Sequence, residues 1–162
     1  LHSFPTRRSS DLLSLAALQQ APAVMERHLQ RGLDAAGLQM VQTARQKLRQ
    51  NDSLALSTLI QAITVEKTGS LEREVLPGTD YAIHLEKGTR AGYRPAPAPL
   101  LAWLRTRRAA EPERAVFRLQ KHIQRHGTKA HPFWQPAFEE AAPRMVQIIR
   151  DEVRRGVREV LG

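Results

Sequence analysis

Between Pro22 and Gln50 apolar residues recur with a helical period, and this stretch limits the possible folds more than any other feature. Met25, Leu29, Leu33, Met40, Val41, Ala44 and Leu48 fall at spacings of three, four and seven, which places them on one face of an α-helix. Pro22 suits the first turn of such a helix, where its missing N–H costs nothing. Gly32 and Gly37 each weaken a helix interior by about 1 kcal/mol relative to Ala, as points of close packing or as merely tolerated residues. Asn51 and Asp52 end the run.

A helix with one apolar face needs a partner, and the next segment changes period. Ile63 and Val65 alternate with Thr64 and Glu66, and Lys67-Thr68-Gly69-Ser70 reads as a turn. Leu71 to Leu76 is a second predicted strand, closed by Pro77-Gly78-Thr79-Asp80. A third would place Tyr81, Ile83 and Leu85 on one face and His84 and Glu86 on the other. Connections this short favour antiparallel pairing, and so small a sheet needs a helix against one face. The expected fold class is α+β: a long N-terminal helix packed on a small antiparallel sheet of about three strands, then two or three C-terminal helices.

Gly88, Gly92, Pro95, Pro97 and Pro99 punctuate the connection that follows, and alternate prolines predict an extended, polyproline-like arm over about 88–99. A helix is expected around Leu100 to Arg107, carrying Trp103. Another runs from about Glu113 to His126 with Val116, Leu119 and Ile123 inward, and Gly127 suits its C-terminal cap. The last helix is expected to begin near Pro136, with Met145, Ile149, Val153, Val157 and Val160 as its apolar stripe. Pro143 within it predicts a kink or a split.

The 162 residues suffice for one moderate core. With no cysteine, disulfides, thiolate chemistry and the commonest zinc sites are excluded. No run approaches the roughly 18–20 apolar residues of a membrane span, so no membrane partner is expected. The opening segment, residues 1–12, resembles a short-read sequencing adapter in translation and is expected to be non-native, leaving 13–162 as a single domain. Excluding Arg7, Arg8 and Asp11 leaves 23 basic and 15 acidic residues, so the net charge falls only from +9 to +8.

The positive charge is concentrated. From Arg105 to Lys129 there are eight Lys or Arg against two Glu. Arg105, Arg107, Arg108, Arg114, Arg118, Lys121 and Arg125, with Arg94, Pro95 and Pro97 of the arm, form the expected interaction surface. A stripe of this kind can face a phosphate backbone or simply water, and no aromatic residues interleave with it for base stacking.

Catalytic chemistry finds no foothold. His122 and His126 share a helical face with His131 close behind, but no carboxylate accompanies them and Lys121, Arg125 and Lys129 surround them. No metal, cofactor or catalytic residue is expected. His84 and Glu86 on one strand face read as surface polar residues, and no nucleophile elbow, phosphate loop or zinc-binding helix motif occurs.

Two segments carry a resemblance. Tyr81-Ala82-Ile83-His84-Leu85-Glu86-Lys87-Gly88-Thr89-Arg90 resembles the block of the phage tail-component (tail completion, head–tail joining) family in which a Tyr-Ala segment ends in Glu-x-Gly-Thr. Downstream, Gly127-Thr128-Lys129-Ala130-His131-Pro132-Phe133-Trp134-Gln135-Pro136-Ala137 resembles that family's Pro-Phe-x-x-Pro-Ala block. The resemblance spans roughly Met25 to Leu161 and assigns scaffold roles to Tyr81, Glu86, Gly88, Thr89, Gly127, Pro132, Phe133, Pro136 and Ala137. The chain departs from the family in lacking a clear Thr-Gly-x-Leu block before the first strand.

The resemblance implies a non-enzymatic structural protein of a tailed phage or prophage that assembles with itself into a ring, a hexamer being the size considered. It would act at the virion neck, after assembly in the bacterial cytoplasm, against tail-tube and head-closure proteins and in contact with packaged DNA. The alternatives are a basic nucleic-acid-binding protein and a related tail-terminator protein.

Overall fold

The computed structural model describes residues 9–50 and 57–161; Asn51 and Asp52, and the first eight residues, lie outside them. The described part is α+β, with six helices and one two-stranded antiparallel hairpin.

Helix α1 spans Ser9–Gln50, 42 residues, and therefore starts upstream of the expected first turn at Pro22, which lies inside it. A proline removes one backbone hydrogen bond, but Leu, Ala and Gln dominate the preceding turns and hold the helix through the break. Its C-terminal half supplies one wall of the core through Met40, Val41, Ala44 and Leu48.

Helix α2 (Ser57–Ala62) leads into β1 (Thr64–Gly69) and β2 (Glu72–Leu76), paired with Val65 opposite Val75 and Glu66 opposite Glu74. The strand runs through the expected turn at 67–70, so the reversal is confined to Ser70 and Leu71, with a register irregularity between Lys67 and Gly69. The hairpin lies on α1 through polar and apolar contacts alike. Gly37 opens space for Val65, whose Cγ2 would stand 2.6 Å from an added Cβ. Arg73 pairs with Asp34 and holds that carboxyl below its usual range. Arg45 Nη2 donates to the Ile63 carbonyl at 2.9 Å.

The third strand expected over Tyr81 to Leu85 is instead a helix, α3 (Ala82–Lys87), so the sheet has two strands. The amides of His84 and Leu85 both reach back to the Tyr81 carbonyl, at 3.0 and 3.1 Å, leaving none for a sheet ladder. Helical geometry also suits the apolar residues better. Ala82 is buried and Tyr81 and Leu85 pack on the core, while Ile83, on the same face as those two in the strand reading, is 55% exposed.

The expected arm is also shorter. Pro97 and Pro99 lie in the first turn of α4 (Pro97–Thr106), where proline forfeits no intrahelical bond, so the extended segment ends at Ala96. Helix α5 (Pro112–His126) buries Val116 and Ile123 and stops at Gly127, whose N–H donates to the Ile123 carbonyl at 2.7 Å. Helices α4 and α5 pack chiefly on each other as a hairpin.

Helix α6 (Trp134–Leu161) begins two residues before Pro136 and is not split at Pro143. It lies along α1 in the most extensive interface of the fold. Phe133, Ala137 and Ala141 complete the core with Leu59, Ile63 and Ala82. Farther along, the stripe facing α1 passes through Glu152 and Gly156, and Val157, expected inward, is 42% exposed. Gly32 and Gly156 allow the helices to approach. An added Cβ at Gly32 would lie 3.3 Å from the Ile149 Cα, and one at Gly156 2.9 Å from the Met25 Sδ. No helix among the described residues is long and apolar enough to cross a membrane.

Candidate functional site

The two sequence blocks that stand far apart in the chain meet in the fold. A helix leaves its first amides without intrahelical partners, and at the start of α6 a side chain from α3 meets them. The Glu86 carboxylate accepts from the amides of Phe133 and Trp134 through Oε2, at 2.7 and 2.8 Å, and from Gln135 through Oε1, at 3.0 Å. A negative charge there also complements the positive end of the helix dipole. Glu86 is thus the N-terminal cap of a 28-residue helix that begins nearly fifty residues later in the chain.

A second set of bonds closes the joint. Thr89 and Thr128 exchange backbone hydrogen bonds, each 3.1 Å, and their hydroxyls lie 3.0 Å apart. The His131 amide donates to the Leu85 carbonyl at 2.8 Å. Gly88 and Gly127 flank this bridge with φ of 70° and 72° and extended ψ, a combination open essentially to glycine alone. A Cβ at Gly88 would sit 2.5 Å from the Thr128 carbonyl oxygen, and one at Gly127 would collide with that of Thr89. The strands can cross this closely only without side chains.

The other motif residues serve the same joint. Phe133, 1% exposed, is among the largest fully buried side chains, with its ring edge-on to Trp134 at 6.0 Å. Ala137 is buried one turn on, Pro136 is half-buried and Tyr81 packs against the core. His84, on the same expected strand face as Glu86, lies instead against Tyr93, ring centroids 4.5 Å apart. The two side chains have separate partners.

Between the blocks stands the α4–α5 hairpin. Its approach segment is tied down: the Gly92 amide donates to the Gln124 carbonyl at 2.8 Å, and buried Gln120 donates from Nε2 to the Pro95 carbonyl at 2.7 Å. Arg94 is exposed and Pro95 half-buried, so only part of the expected arm faces outward, and exposed Pro97 belongs to α4. Arg105 pairs with Glu113 at 2.8 Å, Arg114 with Glu111 at 3.1 Å, and the Arg107 guanidinium lies 5.6 Å from the Trp103 ring centre. Arg108 is exposed at the connection, where it and Glu111 both adopt φ of 52°. Arg118, Lys121 and Arg125 are exposed, and among the described residues no carboxylate pairs with them. The rings of His122 and His126 stand 4.7 Å apart on the exposed side.

One polar cluster has no counterpart in the sequence reading. His28, 5% exposed in the α1–α6 interface, meets Glu152 at Nδ1 and Glu159 at Nε2, both at 2.9 Å. An imidazole can donate from both nitrogens only when protonated. The hydrogen bonds with Glu159 and Glu152 accordingly raise its pKa above the ordinary value, against the effect of burial. The same bonds lower Glu152 and Glu159, assisted by Arg155 and Arg27 respectively. A lone histidine within an amphipathic helix gives no sign that two carboxylates of a distant helix will face it.

Among the described residues no group of three or more His, Asp or Glu side chains could hold a metal. A largely apolar cleft lies beside the joint, lined by Pro77, Ala82, Ile83, Glu86, Phe133 and Trp134. No family model, curated protein or solved structure matches the chain.

Proposed function

We propose that the chain is a structural morphogenesis protein of a tailed phage or prophage, acting in tail completion and head–tail joining at the virion neck as a ring of identical copies. The observation that carries this reading is the Glu86 cap. The residues that resemble the tail-component family are the residues that build one joint, in which the Glu-x-Gly-Thr block seats the helix begun by the Pro-Phe-x-x-Pro-Ala block. A resemblance of isolated dipeptides would have no reason to converge in this way. In this reading the motifs serve construction and the partner surfaces lie on what the joint displays: the α4–α5 hairpin and the exposed Ile83 and Phe138.

The test is assembly. Native mass spectrometry and negative-stain microscopy of the purified protein, alone and mixed with the tail-tube and head-closure proteins encoded beside it, should show rings or ring-capped tubes. A chain that stays monomeric and unbound in the presence of both would overturn the proposal.

A further inference from the structure

We infer that the outer face of α5 is a binding surface for double-stranded DNA, engaging its phosphates without reading sequence. Arg114, Arg118, Lys121 and Arg125 follow one another at intervals of four, three and four, so all four lie on the side of the helix opposite buried Val116 and Ile123. At 1.5 Å per residue they span about 16 Å, a length over which duplex DNA presents roughly ten phosphates.

The hairpin's two carboxylates do not neutralise this row. Glu113 is occupied by Arg105, and Glu111 lies beside Arg114 at the N-terminal end. The remaining three cations have no acidic partner among the described residues. The hairpin packs chiefly within itself, so the body of the protein does not cover the row. Exposed Arg108 precedes α5 and exposed Lys129 follows it past Gly127.

A polyanion fits this face better than a second copy or another protein. Three of the row's four cations lack a carboxylate, so setting this face against the same face of a second copy brings like charges together. An acidic face on a partner protein would offer exposed ion pairs worth about 0–1 kcal/mol each, whereas DNA repays each cation through counterion release. The exposed aromatic side chains nearby, Phe117 and His122, lie beside the row and not within it, so the row offers charge and no stacking platform of its own. Phe117, 64% exposed, lies at its margin and provides a control for an apolar contact.

Fluorescence anisotropy with a labelled 30-base-pair duplex tests the inference, using the full chain between 50 and 200 mM salt. Micromolar binding is expected, its log affinity falling with log salt at a slope of about −3 to −4 for four phosphate contacts. The triple change Arg118→Gln, Lys121→Gln, Arg125→Gln should weaken binding at least tenfold at 50 mM salt and reduce the slope by about 2 to 3. These exposed side chains support no core contact, so the melting temperature should hold. Changing Arg150, Arg154 and Arg158 of α6 to Gln removes as much charge and should have a much smaller effect. Absence of binding at 50 mM salt, an equal loss in both triple variants, or a larger loss in Phe117→Ala would each overturn the inference. So would a stripe that governs association with a protein partner while DNA binding is absent. The readout is independent of ring formation: DNA binding by a protein that never joins tails would leave this inference standing and remove the neck reading.

Discussion

The Glu86 carboxylate and the Phe133 amide, 2.7 Å apart, join two parts of the chain that share no secondary-structure element. Through this contact the six-residue α3 seats the 28-residue α6 with a side chain from outside it.

Removing that cap has a defined cost. Loss of a side-chain cap costs about 0.5–2 kcal/mol, and three amides lose a charged acceptor here. Glu86→Ala should therefore destabilise the fold by about 2 kcal/mol, and Glu86→Gln, which keeps one acceptor oxygen, by less. At roughly 2–4 °C per kcal/mol for a chain of this size, thermal denaturation should separate the two variants from each other and from the parent.

The paired glycines give a second contrast. Gly127→Ala forces a Cβ onto the Thr89 carbonyl in a backbone region closed to alanine, and should cost about 3 kcal/mol or more. Gly92 also has positive φ, 98°, but nothing lies within 4 Å of an added Cβ. Gly92→Ala should cost about 1 kcal/mol, from backbone strain alone. Equal denaturation midpoints for the two variants would show that close approach at the Thr89–Thr128 bridge is not what Gly127 provides.

A third concerns pH. His28 has a raised pKa, so its stabilisation is complete below the ordinary 6.5 and is lost as pH rises through the raised value. Glu152 and Glu159 have lowered values, so theirs is present above the ordinary 4.5 and is lost as pH falls through the lowered ones. The α1–α6 interface should be most stable between about pH 4.5 and 6.5. In melting curves across pH, His28→Gln should remove the decline on the alkaline side of that window. A variant with the parent's full pH profile would refute the assignment.

Much of this architecture was readable from residue pattern. The apolar faces of α1 and α5, the Gly127 cap and the β1–β2 hairpin follow from local period and turn chemistry. What was not readable depends on partners distant in sequence. Tyr81 to Leu85 alternates well enough for a strand, and local period gives no sign that Glu86 will meet the unpaired amides at the start of α6. The proline run stops being extended at Ala96 because a first helical turn tolerates proline, a choice local spacing does not decide. His28 looks like any polar residue on a helix until Glu152 and Glu159 face it, and the face of α6 that carries them leaves Val157 exposed.

The central claim is most directly tested in virions. The proposed function requires the gene to lie in a phage or prophage genome, and its deletion there should yield filled heads and separate tails that fail to join, with joining restored by the intact gene. Joined, infectious particles in the deletion strain, at the yield of the parent, would contradict the account.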